Sequence, residues 1–485
     1  MQRPGSGPDS LWSPERRGLT TGLVLTITLV AFEALAISTV LPIVARDLGD
    51  LEHYGWVFTS FFLGSLIGIA VVGGVINRGG LGRPLAIGLG LFAIGLLLGG
   101  LAMSMPMLIG ARFIQGLGAG TIPPIAYVAI GRSLPESLRP RMFAILSTAW
   151  VLPGVIGPAI AGVVGETLGW RYVFLGLLPL IGVAGLLTIR AVSKVVPRGP
   201  AADAEAEAAA AERHRFPNAL GVALGAGLVM LGLTPGHGGI IPVDTEPGVT
   251  LVLIATGLLV GIPPLRRLTP PGTLTAQPIL PAAVLLRGVM TFTFFGVDAY
   301  ATLTLESWRG LSAVAAGVVL TAATISWTAG SWIQARNAGR WSSAQFVRAG
   351  MIVTVIGLIS FSTILAPSVP VALAVPTFAV AGLGMGLGYA PLSLIVLRES
   401  PPETQGAASS ALSLSDTLGT ALGTGVSGAI VAASIRSTGV PVDGLVGAFW
   451  VAIFVGIGGV LLTSRLRGRS TAGATVAVAS PAPQV

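Results

Sequence analysis

Five ionisable side chains interrupt stretches that are otherwise apolar: Glu33, Arg112, Arg287, Asp298 and Asp416. A charge at the centre of a bilayer costs about 2.5–3.5 kcal/mol on insertion scales, so each needs a partner, a wet cavity or a task. A carboxylate so placed can carry a proton. Burial disfavours the charged form of Glu33 and an adjacent guanidinium such as Arg112 favours it, so separating the two would let the acid take up a proton. By helical rise Glu33 lies roughly 16 Å, and Arg112 about 8 Å, from the outer ends of their stretches, a gap that arginine's reach can close. The alternative is a fixed ion pair that only sets helix register. Gln115 follows Arg112 on the same helical face, where it could orient the guanidinium or simply bond a neighbouring helix.

Asp298 sits within Phe292-Thr-Phe294-Phe295-Gly-Val-Asp298-Ala-Tyr300. Ring faces and a carboxylate both attract positive charge, so Phe292, Phe295, Asp298 and Tyr300, with Trp150 and Tyr389, are candidates to line a cavity for an apolar or cationic small molecule. The alternative puts these rings in a core or against lipid. Arg287 precedes Asp298 by about three turns on a similar face; it could instead serve Asp416 or snorkel toward the cytoplasm. Asp416, after Ser413 and Ser415, reads equally as a second titrating site or as a hydrogen-bonded structural acid.

Other chemistry is excluded by composition. The chain has no cysteine, hence no disulfide, thiolate metal site, iron–sulfur cluster or cysteine nucleophile. The histidines, His53, His214 and His237, fall in stretches that read as loops, which argues against an intramembrane metal cluster or histidine relay. The sole lysine, Lys194, is followed by Val195 and cannot end a phosphate-binding loop, so transport must run on a gradient or downhill. No nucleophile–base pair suggests an enzyme, and no metal or cofactor is expected.

The elements that position these residues are membrane spans. Of 485 residues, 53% are hydrophobic and 10% charged, against roughly 25% charged in a soluble protein. Taking about 20 residues per crossing, the chain reads as an all-α polytopic membrane protein. After a cytoplasmic arm, 1–18, come apolar runs at 19–45, 56–76, 84–103, 106–131, 141–164 and 170–192. The first carries Glu33 and lacks a small-residue cleavage site, so it reads as a retained span and not a signal peptide. A charged linker, 193–216, leads to two extra spans at 217–234 and 248–265, then to six more at 279–305, 311–334, 344–366, 370–397, 404–434 and 445–465, with a small, polar tail at 467–485 that reads as disordered. The domain plan is six spans (19–192), two (217–266) and six (279–466). Most of the bases fall in the N-terminus, the even-numbered loops and the C-terminus, which places those segments in the cytoplasm. The net charge of +8 is then a matter of topology, not of nucleic-acid binding.

The two groups of six resemble each other. Gly116-Leu117-Gly118-Ala119-Gly120 precedes Pro123-Pro124 in the fourth span of the first group, and Gly382-Leu383-Gly384-Met385-Gly386 precedes Pro391 in that of the second. Gly154, Gly157 and Gly162 in one fifth span face Gly419, Gly423 and Gly428 in the other; Gly82-Arg83 matches Gly339-Arg340; and an acid, Glu33 or Asp298, lies in each first span. Any single glycine run is most simply a packing seam, but ordered correspondences indicate a parallel repeat with a substrate pathway between two bundles. Aligned on these runs, Arg112 and Gln115 meet Phe378 and Ala381, so the first half alone is expected to carry the buried base.

These motifs resemble the major facilitator superfamily, in particular its fourteen-span drug/proton antiporter branch. Glu33-Ala-Leu-Ala-Ile-Ser-Thr-Val-Leu-Pro42 is similar to the branch's acid-to-proline signature, usually begun by aspartate. Arg112-Phe-Ile-Gln115-Gly116-Leu-Gly118 matches the family's fourth-span motif, and Pro153-Gly154-Val-Ile-Gly157-Pro158-Ala-Ile-Ala-Gly162 its fifth-span antiporter motif. Gly169-Trp170-Arg171-Tyr172-Val-Phe174 is similar to the outer loop before span six. In the loop after span two, Asn77 stands where the family has an aspartate, ahead of Arg78 and Arg83; a neutral side chain there implies a weaker cytoplasmic latch. The resemblance implies two six-helix bundles plus two helices, with Gly154, Gly157, Pro158 and Gly162 forming a kinked seam that limits leak.

The expected function is proton-coupled efflux of hydrophobic or amphipathic compounds by alternating access. Glu33, Arg112, Gln115, Asp298 and Asp416 would serve proton coupling in a cell-membrane protein working as a monomer among lipids. A lipid or metabolite carrier on the same scaffold, and a non-transporting sensor or assembly partner, are the alternatives.

Overall fold

A computed structural model describes residues 10–48, 54–78, 80–195, 214–233 and 247–466. Most of the arm, the linker and the whole tail read from the sequence lie outside this set, as do His53, His237 and the side chains of Asn77 and Arg78.

Fourteen helices are long and apolar enough to cross a membrane. The first six are α1 (Arg17–Leu48), α2 (Tyr54–Arg78), α3 (Gly82–Gly100), α4 (Met105–Ser133), α5 (Glu136–Gly169) and α6 (Arg171–Val192). Two more, α7 (Arg215–Leu233) and α8 (Pro247–Leu268), precede the final six. These are α9 (Leu280–Trp308), α10 (Ala313–Asn337), α11 (Ser343–Leu365), α12 (Val371–Glu399), α13 (Gln405–Thr438) and α14 (Val442–Leu466). Helices are the natural solution for such a chain, since hydrocarbon offers backbone amides no partner outside their own segment.

Each group of six has its own core. Leu41, Phe92 and Phe174 are fully buried in the first, and Phe361, Phe378 and Phe449 in the second. The repeat appears as matched backbone contacts. A Cβ at Gly116 or Gly120 would collide with the carbonyls of Phe61 or Ser65 on α2, and one at Gly382 or Gly386 with those of Ala323 or Trp327 on α10. Gly118 and Gly384 meet α3 and α11 in the same way. The glycine runs are therefore close-packing seams, as small residues in membrane helices usually are.

The fifth-span glycines depart from expectation. A Cβ at Gly154 or Gly157 would sit 3.7 Å from Thr324 or Phe32, and at Gly162 it would meet nothing within 4 Å. Close helix approach is not their role. On α13, by contrast, Gly419 and Gly423 press against the α9 carbonyls of Gly288 and Phe292. Pro158 lies inside α5, where it withholds an N–H from the helix ladder.

The halves meet toward one end. Arg132 Nη2 donates to the Pro402 carbonyl (3.2 Å), and Ser410 Oγ donates to that of Ile69. Ser331 Oγ donates to Ser147 Oγ (3.0 Å), and Trp332 Nε1 to Thr148 Oγ1 (3.0 Å). These contacts pair α4 with the α12–α13 connection, α2 with α13 and α5 with α10, and they define the closed end of the molecule. The extra helices pack peripherally: α7 lies on α2 and α13, with Ala219 and Val222 against Ile67, Ala70 and Leu414. Arg215 donates to the Ala70 carbonyl (3.4 Å), and α8 packs mainly on α7.

Candidate functional site

Two charged groups occupy the halves at different depths. In the first half, Glu33 on α1 is fully buried, and Arg112 and Gln115 on α4 nearly or fully so. Arg112 Nη1 donates to Glu33 Oε1 and to Gln115 Oε1, so one guanidinium edge bridges the acid and the amide. Spacing of three residues on α4 puts Arg112 and Gln115 on one face, and Gly95 of α3 packs directly against Gln115. The Arg112 guanidinium carbon stands 4.3 Å from the centre of the Phe61 ring, which supplies a second electrostatic neighbour. Glu33 Oε2, Arg112 Nε and Gln115 Nε2 have no hydrogen-bond partner among the described residues. A buried pair that leaves three polar atoms unsatisfied is poorly optimised as a permanent strut.

In the second half, the expectation that only the first carries a buried base is corrected. Arg287 on α9 is fully buried. It is also not the partner of Asp298. Its Nη1 donates to the Tyr389 carbonyl (3.0 Å), its Nη2 to Ser393 Oγ, and its Nε lies 3.9 Å from Asp416 Oδ1. The guanidinium carbon lies 3.5 Å from the Tyr389 ring centre, and the Tyr389 hydroxyl donates to Asp416 Oδ2 (2.9 Å). Asp416 is thus hydrogen-bonded, though by Tyr389 and not by the serines beside it in sequence. The register follows from Gly288, where a Cβ would strike Ser415, and from Gly419; these glycines let α9 and α13 approach until Arg287 and Asp416 face each other.

Asp298 is half-buried and has no hydrogen-bond or ion-pair partner among the described residues. By helical spacing it shares a face with Phe294 and Phe295. These rings join a cluster that the sequence did not flag, centred on Trp327 of α10. Its ring lies 5.7 Å from Phe294, 6.4 Å from Phe295 and 5.3 Å from Tyr389, while Phe378 stacks behind Phe294. Trp327 therefore links the aromatic run to the Asp416 group. It carries no charge and sits in a span without a recognisable motif, so only its contacts reveal it. Of the other candidate lining residues, Tyr300 donates to the Thr424 carbonyl (3.2 Å) and serves α9–α13 packing. The Phe292 backbone packs on Gly423, and Trp150 is exposed.

At the remote ends, Asp47 accepts from Trp170 Nε1 and Arg171 Nη1, each at 2.9 Å. These bonds hold its carboxyl below the usual carboxylate range, Trp170 contributing most. Arg83 is exposed at the start of α3, and His214 lies in the turn before α7. Among the described residues no group of three metal-ligating side chains comes together.

The family model described as Major Facilitator Superfamily matches residues 23–424. A probable multidrug-efflux transporter of Mycobacterium tuberculosis is 24% identical over 91% of this chain and 93% of its own. An acurin A biosynthesis cluster transporter of Aspergillus aculeatus is 32% identical over 39% of this chain, a match that spans about a third (35%) of that protein. Among solved structures, a human organic anion transporter superposes with a TM-score of 0.66 at 13% identity, covering 93% of this chain and 99% of that one. A proton:xylose symporter superposes at 0.64 and 14% identity, covering 93% and 95%.

Proposed function

Because the chain belongs to the major facilitator superfamily, we propose that it exports hydrophobic or amphipathic small molecules in exchange for protons, its two halves rocking about the contacts of the closed end. As a member of that family it is a multi-pass membrane transporter and not an enzyme. The observation that carries the finer reading is the Glu33–Arg112–Gln115 group, an acid sealed among helices beside one guanidinium with polar atoms left over. An ion pair of this kind is held together by a Coulomb term that vanishes when the acid takes a proton, so proton binding and helix separation are linked. Asp416, paired to Arg287, is a second exchangeable acid, and Asp298 with Phe295 and Trp327 faces the substrate. A wall of rings with a carboxylate suits compounds that are apolar and carry positive charge. The basic loops set the closed end toward the cytoplasm, with both termini on that side of the cell membrane.

The experiment is transport in proteoliposomes under an imposed proton gradient, with substrate-dependent dissipation of the gradient as the readout. Glu33→Gln is expected to abolish gradient-driven uptake while leaving substrate binding measurable. Full gradient-driven transport by that variant would overturn the carrier role of Glu33.

A further inference from the structure

The aromatic cluster around Trp327 has one polar hydrogen to spare. Tyr389 spends its hydroxyl on Asp416, and Tyr300, farther along the α9 run, spends its own on the Thr424 carbonyl. The indoles of Trp170, Trp308 and Trp332 likewise donate to Asp47, to the Leu365 carbonyl and to Thr148, at 2.9, 2.8 and 3.0 Å. The Trp327 indole N–H has no hydrogen-bond partner among the described residues and, unlike the unpaired atoms of the Glu33 group, is not buried. Where it opens follows from the rest of α10. At about 100° per residue, the exposed Ile325, Ala329, Ile333 and Arg336 form one strip along the helix, the face that meets lipid. Trp327 is turned roughly 160° away from that strip. Thr324 and Ser331, one turn to either side of it, meet Gly154 and Ser147 of α5 in the opposite half. The unburied part of Trp327 therefore borders the space between the halves. Asp298, also unpaired among the described residues, lies one turn beyond Phe295, which packs against Trp327.

We infer that the Trp327 N–H is a specificity-determining donor, selecting amphipathic cations that carry a hydrogen-bond acceptor, such as an ester or ketone oxygen, beside their charge. The inference rests on the efflux reading above and narrows its substrate class. Rings alone would hold any apolar cation, because their faces attract positive charge whatever polar groups accompany it. An N–H set among those rings changes the balance. Without substrate, water satisfies it. An apolar substrate that covers it leaves a donor unpaired, at a cost of about fivefold or more in affinity. An acceptor at that point restores the bond, so the site discriminates mainly by rejecting the cation that lacks one. Phe294 and Tyr389 contact the indole edge-to-face, which fixes the direction of the N–H.

The test is equilibrium binding to the full-length protein in lipid nanodiscs, corrected for uptake by empty nanodiscs. The probes are tetraphenylphosphonium and the same cation bearing one para methoxycarbonyl group, a pair that differs only in the acceptor. The wild-type protein is expected to bind the ester at least about fivefold more tightly. Trp327→Phe, which keeps a ring and removes the N–H, is expected to bring the two affinities to within about twofold of each other; Trp327→Met serves if the first variant does not fold. Trp332→Phe, which removes an N–H at the closed end, is expected to keep the preference. An equal preference in the wild type and Trp327→Phe overturns the inference, and so does its loss in Trp332→Phe, which would make it a matter of general packing. If both cations bind the wild type without preference, this inference alone fails. If neither binds, the cationic-substrate reading fails and this inference with it.

Discussion

At the scale of single residues, the balance between charge burial and pairing decides what each ionisable group can do. Truncating Arg112 would strand a fully buried carboxylate, a change that costs about 3–5 kcal/mol where it has been measured in proteins. Arg112→Ala is therefore expected to lose thermal stability, and adding Glu33→Gln to it to restore part of the loss, because a neutral amide needs no counter-charge. Melting curves of the two variants at one pH check both signs. Asp47 responds to pH instead. Its carboxyl is held low by Trp170 and Arg171, so it contributes stability above the ordinary aspartate range and loses it as the pH falls below about 4. Asp47→Asn should flatten that acid limb and change little at pH 7, since both partners are part-exposed and such pairs contribute little.

At the scale of helices, glycine does two different jobs that look alike in sequence. On α4 and α12 it brings backbones into contact, and a methyl group at Gly116 or Gly382 has no space. Gly116→Ala is expected to cost roughly 1–3 kcal/mol through forced displacement of α2. Gly162→Ala, with open space around it, should be neutral or more stable by up to about 1 kcal/mol from helix propensity. Side-by-side thermal denaturation decides, and equal losses in both would refute the distinction. The motif containing Gly154, Gly157 and Pro158 thus reads as a place where α5 is thin and short of one backbone bond, facing α10 and α1, and not as a tight joint.

At the scale of the molecule, the closed end relies on backbone and hydroxyl hydrogen bonds between halves, contacts that can be exchanged for water at small net cost. With no native cysteine, the chain reports its own gating once a thiol is placed there. Ser410→Cys should react slowly with a membrane-impermeant maleimide at rest, since Ser410 is buried at the α2–α13 contact, and faster during turnover; an unchanged rate would mean that this contact does not open. The α7–α8 pair adds an asymmetry. α7 covers the α2–α13 joint from outside, while no extra helix covers the α5–α10 joint among the described residues.

The spans, the two groups of six, and the meeting of Glu33, Arg112 and Gln115 were all legible in the amino-acid sequence. Length and apolar composition dictate helices in hydrocarbon, and a charge in such a helix advertises itself by its cost. Which acid Arg287 serves, and that Trp327 matters at all, was not. Periodicity tells which face of a helix a residue occupies but not which helix lies opposite or at what height, and those are settled by backbone approach at Gly288, Gly386 and Gly419. An uncharged aromatic ring in an apolar span is indistinguishable from core until packing gives it neighbours.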